Sequence, residues 1–337
     1  MDEYYTILNN NKNNYDFKND IILAPMVRAG TLPTRLLSLK YGATMVFSPE
    51  YIDKCIIRCK RITTNNIIEY IAPSGSVIFS TIKNEPLMFQ MGTSDSISAI
   101  QAGNIIIDDV KGIDINMGCP LPFSTKGGMG VALLKNPEKI NDILRTLKRN
   151  YNKPITCKIR LLDKLTDTIQ LVKMIENTGI NAITIHSRYP DDRTKKQRAR
   201  HDQSKIVIES LNIPTIINGD IYSLEDANII KNSTKANSVM IARGAQYNPS
   251  IFSKDGFVPI FDILNQYCDI FGKINHNMQN SKFLIRSVLG NLIKDNDKLN
   301  AVNKSFNFVE MQDIIYKMKD YPKISEDYTI LRKDFVL

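Results

Sequence analysis

The 337-residue sequence predicts an α/β fold, a (β/α)8 TIM barrel with a C-terminal all-helical domain. Three observations carry this. Eight short apolar runs recur along the chain, each followed by apolar residues at helical spacing. Strand patterns stop after Phe257 while helical spacing continues. No Gly-x-Gly-x-x-Gly follows an early strand, which counts against the runner-up, a doubly wound sheet built on a dinucleotide-binding unit.

Residues 1–20 are polar and Asn-rich and read as an N-terminal extension. The strand candidates are Ile21–Ala24, Ala43–Ser48, Pro86–Met91, Gly112–Asn116, Pro154–Ile159, Asn181–His186, Pro214–Ile217 and Ser238–Ala242. Most are apolar or β-branched and bounded by Pro, Gly or polar residues. Helix starts lie between them: Pro33 two residues after Thr31, Asn136-Pro137-Glu138, and Ser223 before Leu224-Glu225-Asp226. The segment from Tyr51 to Glu85 is long for one connection, and predicts a β-excursion with Ile67–Ala72 and Val77–Thr81 flanking the turn Pro73-Ser74-Gly75-Ser76. The barrel then spans 21–255. Residues 256–337 form the helical domain, with Ile263, Leu264, Tyr267, Ile270, Phe271, Phe283, Leu284, Val288 and Leu289 at helical spacing.

With 43% hydrophobic residues the chain can bury a large core. It has no apolar run of about 18 residues, so no membrane span is expected. Its start lacks the basic-then-apolar pattern of a signal peptide, which makes the cytoplasm the expected location. The five cysteines do not form a disulfide framework, and Cys55 and Cys59 lack a second pair at zinc-like spacing, so no metal is expected. The net charge of +9 favours a polyanionic partner such as nucleic acid. Positive charge is dense between Arg188 and Arg200, and again at Lys54, Arg58, Lys60 and Arg61.

A barrel of this kind places its active site at the C-terminal ends of its strands. Those ends carry Pro25-Met26, Glu50, Gln90, Asn116, Cys119, Lys158 with Arg160, His186 with Arg188, Asn218-Gly219-Asp220 and Arg243-Gly244. Cys119 follows a strand between Gly118 and Pro120; it is a reachable acid or nucleophile, or else an inert loop thiol. The loops after the seventh and eighth strands are common phosphate sites, and Arg243 adds a fork of donors there; the alternative is an ordinary turn before a helix. Lys158 has no purpose in a packed core and is suited to offset negative charge on a reduced flavin. His186 reads as a ligand contact or as a structural histidine.

Several ordered segments match one family. Ala24-Pro-Met-Val-Arg-Ala-Gly-Thr-Leu-Pro33, Phe89-Gln-Met-Gly-Thr-Ser-Asp95, Asp114-Ile-Asn-Met-Gly-Cys-Pro120 and Ser124-Thr-Lys-Gly-Gly-Met-Gly130 come first. Thr156-Cys-Lys-Ile-Arg160, Ile185-His-Ser-Arg188 and Asn248-Pro-Ser-Ile-Phe252 follow. From about Ile21 to Leu289 the chain resembles the tRNA-dihydrouridine synthases, most of all the eukaryotic dihydrouridine synthase 2 branch, which acts at position 20. It departs from that pattern at Ser187, Tyr247 and Ser48-Pro49.

The resemblance implies an FMN-binding barrel and a helical tRNA-binding domain; a monomer is expected. It implies that FMN contacts Pro25, Met26, Val27, Gln90, Lys158, His186, Asn218, Gly219, Asp220, Ala242 and Arg243. Asn116, Arg188 and Glu50 are implied on the substrate side. NADPH would reduce FMN, hydride would pass from the reduced flavin to uracil C6, and Cys119 would protonate C5. The target uridine must be extruded from folded tRNA to reach the barrel mouth. Basic residues between Arg188 and Lys205, with Lys282, would hold the tRNA backbone. Two other readings compete: an FMN barrel acting on a free pyrimidine, which needs no basic patches, and a non-catalytic RNA-binding protein, which has no use for Cys119.

Overall fold

The apolar runs become parallel strands, as expected for segments buried on both faces. The computed structural model describes residues 16–192, 197–274, 276–290, 293 and 295–318. The strands and helices run in the order β1 (Ile21–Leu23), α1 (Leu32–Lys40), β2 (Met45–Phe47), β3 (Tyr51–Ile52), α2 (Asp53–Ile56), β4 (Lys60–Thr64), β5 (Ile67–Ile71), β6 (Val77–Ile82) and β7 (Leu87–Gly92). They continue as α3 (Ser96–Ile106), β8 (Gly112–Met117), α4 (Pro122–Thr125), α5 (Pro137–Asn150), β9 (Ile155–Arg160), α6 (Leu165–Glu176), β10 (Ala182–His186) and α7 (His201–Glu209). Then come β11 (Thr215–Asn218), α8 (Leu224–Thr234), β12 (Ser238–Ile241) and α9 (Arg243–Tyr247).

Strand β1 pairs with β12 on one side and β2 on the other, and pairing runs in sequence from β7 through β12. Val46 opposite Leu87 and Phe47 opposite Met88 close the ring between β2 and β7. All eight expected strands are present, and the closed ring removes the sheet edges that an open sheet would leave.

Helix starts follow the local chemistry. Asn136 accepts the Lys139 N–H at 3.2 Å ahead of α5, whose Ile140, Ile143, Leu144 and Leu147 form the buried face. Ser223 accepts the Asp226 N–H at 2.9 Å ahead of α8. The β-excursion is a three-stranded antiparallel sheet, β4-β5-β6, with one strand more than expected. Every residue of β4 is exposed, so its sequence shows no alternation. Asn65 and Asn66, both with positive φ (49° and 65°), turn the chain into β5.

The last residues of the polar N-terminal stretch belong to the barrel. Phe17 is 1% exposed and packs with Ile22, Met45, Phe47, Met88, Ile216 and Met240 across the N-terminal end of the strands. The Ser238 hydroxyl holds its carbonyl at 2.8 Å. Residues 1–15 lie outside the described part.

Among the described residues after Phe257 there are four helices, α10 (Ile260–Lys273), α11 (Met278–Leu289), α12 (Asn296–Lys304) and α13 (Phe308–Met318). The apolar face of α10 packs against α1 of the barrel and against α13. Tyr41 and Gln266 hydrogen-bond across that junction at 3.0 Å. No described helix is long and apolar enough to cross a membrane.

Candidate active site

Closing the barrel gathers the polar strand ends around a cavity of about 380 Å³, within the usual range for small-ligand sites. Fourteen of the fifteen residues to which the resemblance gives a role line it: Cys119, Pro25, Val27, Gln90, Lys158, His186, Asn218, Gly219, Asp220, Ala242, Arg243, Asn116, Arg188 and Glu50. Met26 does not. Its carbonyl accepts the Gly30 N–H at 2.8 Å and its side chain packs against the core.

Cys119 follows β8 on a turn fixed by Asn116, whose Oδ1 accepts the Gly118 and Cys119 N–H groups at 2.8 and 3.1 Å. The Cys119 carbonyl accepts the Val131 N–H at 3.0 Å. Burial first, and then the neighbouring Glu50 carboxylate, push the thiol up to about 11. The thiol is therefore held protonated at neutral pH and carries a proton it can give. Burial also raises Glu50, against hydrogen bonds from Ser124, Cys119 and Asn116.

On the neighbouring strand β9, Lys158 stands in register with Asn116, and its ammonium makes no hydrogen bond among the described residues. Burial, and next the adjacent Arg160, bring it down to about 7, with Asp114 opposing. Burial holds His186 well below its ordinary value, reinforced by Lys158 and three arginines, so its ring is neutral. Below them Asp114 accepts from Gln90 Nε2 at 2.8 Å and Thr156 Oγ1 at 2.7 Å. Burial raises this carboxyl to about 6. Because the Gln90 amide gives its N–H to Asp114, its carbonyl is left for a ligand. Ser48, at one of the unusual positions, accepts the Gln90 backbone N–H at 2.9 Å.

At the end formed by β11 and β12, Gly219 has φ +133° and Asp220 φ +50°. Asp220 takes Arg188 on one oxygen together with Arg243 at 2.7 Å, and the Ala199 N–H on the other at 2.7 Å. Arg188 also donates to the Gln197 carbonyl at 2.8 Å. Both arginines are thus held by Asp220 rather than standing as open forks. Ser187, one of the departures from the family pattern, is fully buried and its hydroxyl is met by Ser204 at 2.8 Å.

Ala24, Gly118, Pro120, Asp192, Ile221, Tyr222 and Met240, given no site role from the sequence, also line the cavity. Most adjoin residues already named, and adjacency alone would have found them. Asp192 carries no such signal. Arg160, noted only as a strand end, donates to the carbonyls of Gly118, Tyr189 and Asp192 at 2.8, 2.8 and 3.0 Å and ties three loops together. In the basic clusters Arg61 is bound to Asp109 at 2.6 Å and Arg200 to Asp192. Arg193, Lys195 and Lys196 lie outside the described residues.

The family model described as dihydrouridine synthase matches residues 22–320, a span holding both the barrel and the four helices. The chain belongs to the dihydrouridine synthase family. Within it, the chain is 34% identical over 321 residues to the tRNA-dihydrouridine(20) synthase [NAD(P)+] of Schizosaccharomyces pombe, covering 90% of this chain and 67% of that protein. It is 36% identical over 302 residues to the Saccharomyces cerevisiae protein of the same description, covering 81% and 78%. Among solved structures a 2-naphthoyl-CoA reductase complex shares the fold, with TM-score 0.50 and 10% identity over 69% of this chain and 49% of the other. The dihydrouridine synthase model thus takes in every strand end that walls the cavity, from Ala24 to Arg243.

Proposed function

We propose that this chain is a cytoplasmic tRNA-dihydrouridine synthase that reduces uridine 20 of the tRNA D-loop to 5,6-dihydrouridine, with bound FMN and with NADPH as reductant. The relatives described as tRNA-dihydrouridine(20) synthases [NAD(P)+] support the reaction and the position. The observation that carries the chemistry is the Cys119 thiol in one cavity with Lys158; burial, which raises the thiol, favours its protonated form.

The residues fit a flavin mononucleotide. Lys158 is a walled-in cation without a hydrogen-bond partner among the described residues, suited to the electron-rich edge of an isoalloxazine ring. Gln90 offers a carbonyl fixed by Asp114. Backbone at Gly219–Asp220 and the start of α9 at Arg243, a usual phosphate position in barrels, would hold the phosphate. When bound, the flavin supplies hydride to uracil C6.

The chain's own residues do the rest. Asn116 fixes the turn that presents Cys119. Cys119 delivers its proton to C5. Neutral His186 is a donor or acceptor that brings no further charge beside Lys158. Arg160 holds the mouth loops together. The helices after Phe257, with Lys282, would grip the tRNA backbone while the target nucleotide is extruded. The enzyme would act as a monomer.

Flavin content tests the pocket directly. Purified wild-type protein should carry FMN that bleaches on adding NADPH under argon, and Lys158→Met should retain at least about tenfold less. Wild-type protein unable to bind FMN after reconstitution would remove the flavin reading.

A further inference from the structure

Glu50 stands between two cavities. On one side it lines the reactive cavity beside Cys119. On the other it lines a separate cavity of about 210 Å³, walled also by Thr31, Tyr51, Glu69, His276 and Asn277. That second space lies between the barrel top, the β-excursion and the start of α11.

The carboxyl is firmly placed. Oε1 accepts the Ser124 hydroxyl at 2.7 Å. A Cβ on Gly92 would come within 2.6 Å of the same oxygen, so β7 carries glycine where the carboxyl lies. Oε2 is buried and fills no hydrogen bond of good geometry. The Cys119 thiol and the Asn116 side chain lie within its reach. Asn116 already spends its Oδ1 on two backbone N–H groups, which leaves its amide hydrogens for Glu50. A buried carboxyl with one oxygen poorly satisfied is costly if packing is its only role.

We propose that Glu50 supplies the proton that restores the Cys119 thiol after each turnover, drawing it from water in the second cavity. This rests on the reading of Cys119 as the acid. Each turnover breaks the Cys119 S–H bond and forms the uracil C5–H bond, leaving a thiolate. Glu50 takes up a proton from solvent in the second cavity and passes it to that sulfur, which re-forms the S–H bond. One proton enters per dihydrouridine formed, and Glu50 is unchanged at the end. The transfer runs downhill, because a thiol ordinarily holds its proton more tightly than a carboxyl, and burial raises the Cys119 thiol further. With a nucleotide filling the barrel mouth, the side facing Glu69 and His276 is the route left open to water. Glu50 acts through Cys119, as a positioning and proton-supplying residue.

Chemical rescue tests this in the full-length, FMN-loaded enzyme under multiple turnover with tRNA. Glu50→Gln keeps the size and the Ser124 contact but carries no exchangeable carboxylic proton. Glu50→Ala opens space for a small acid. Both should lower turnover about tenfold or more, with flavin content and melting temperature as controls for folding. Added formate should restore Glu50→Ala several-fold in proportion to its concentration, and leave wild type and Glu50→Gln unmoved. Glu50→Gln within twofold of wild type, or a Glu50→Ala loss indifferent to formate, would overturn the relay. If Cys119→Ala in the same series turned over like wild type, the reading of Cys119 as acid would fail, and the relay with it. Loss in Cys119→Ala beside an unaffected Glu50→Gln would sink the relay alone.

Discussion

At residue scale the site is made of groups held away from their solution protonation states. Burial works against the charged form of Cys119, Glu50 and Lys158 alike. Lys158 gives a testable sign. Its folded value, about 7, lies below its ordinary 10.5. The folded state therefore loses stability relative to the unfolded chain as pH falls from 10.5, and the loss is complete just below 7. Lys158→Met should be more stable than ligand-free wild type at pH 7, by on the order of 1–3 kcal/mol. The gap should narrow at pH 9, and denaturant melts at the two pH values check both. Equal stability at pH 7 would mean that the ammonium is not confined as described. Much of this set was legible, because a Lys, a His and a Cys at barrel strand ends have few structural uses. Pairing was not. Asp220 binds both Arg188 and Arg243 across loops far apart in sequence, and no local pattern announces it.

At the scale of elements, the turn between β8 and α5 holds the chemistry. Gly130 has φ +59°, and a Cβ there would meet the Cys119 carbonyl at 2.3 Å and Ser124 Oγ at 2.6 Å. Gly130→Ala should move the turn that positions Cys119. We expect about 1–3 kcal/mol lost in stability and about a hundredfold in turnover, read by melting and by dihydrouridine formation. A variant of wild-type rate would show that the turn has slack. Helix starts were readable because Asn136 and Ser223 satisfy backbone N–H groups locally, a signal confined to a few residues. The strand β4 escaped because all five of its residues face solvent. Its one local mark was the Asn65-Asn66 turn. The pair β3 and α2, two and four residues long, is too short for any period to show.

At the scale of the whole molecule, the eight β–α units announced the barrel, since each strand is buried on both faces and each helix on one. The plug at its far end was not announced. Phe17 is a single aromatic in a polar stretch, and only ring closure makes its pocket. The junction of barrel and helices carries a groove of about 550 Å³ lined by Arg28, Lys282, Phe283 and Arg286, with no acidic residue among the residues that line it. Under the proposed function this groove meets tRNA phosphates. Replacing Lys282 and Arg286 by Ala should weaken tRNA binding and lower the slope of log K against log salt by about 1 for each phosphate no longer neutralised. An unchanged slope in a filter-binding titration would place the tRNA elsewhere.

The central claim is that this barrel reduces a tRNA uridine with Cys119 as the acid. Its most direct test incubates the FMN-loaded protein with NADPH and tRNA lacking dihydrouridine, and maps the product by position, with Cys119→Ala alongside. The account predicts dihydrouridine at position 20 and a loss of about 10²–10⁴-fold in the variant. A flavin that NADPH reduces but that leaves every tRNA uridine intact would contradict it.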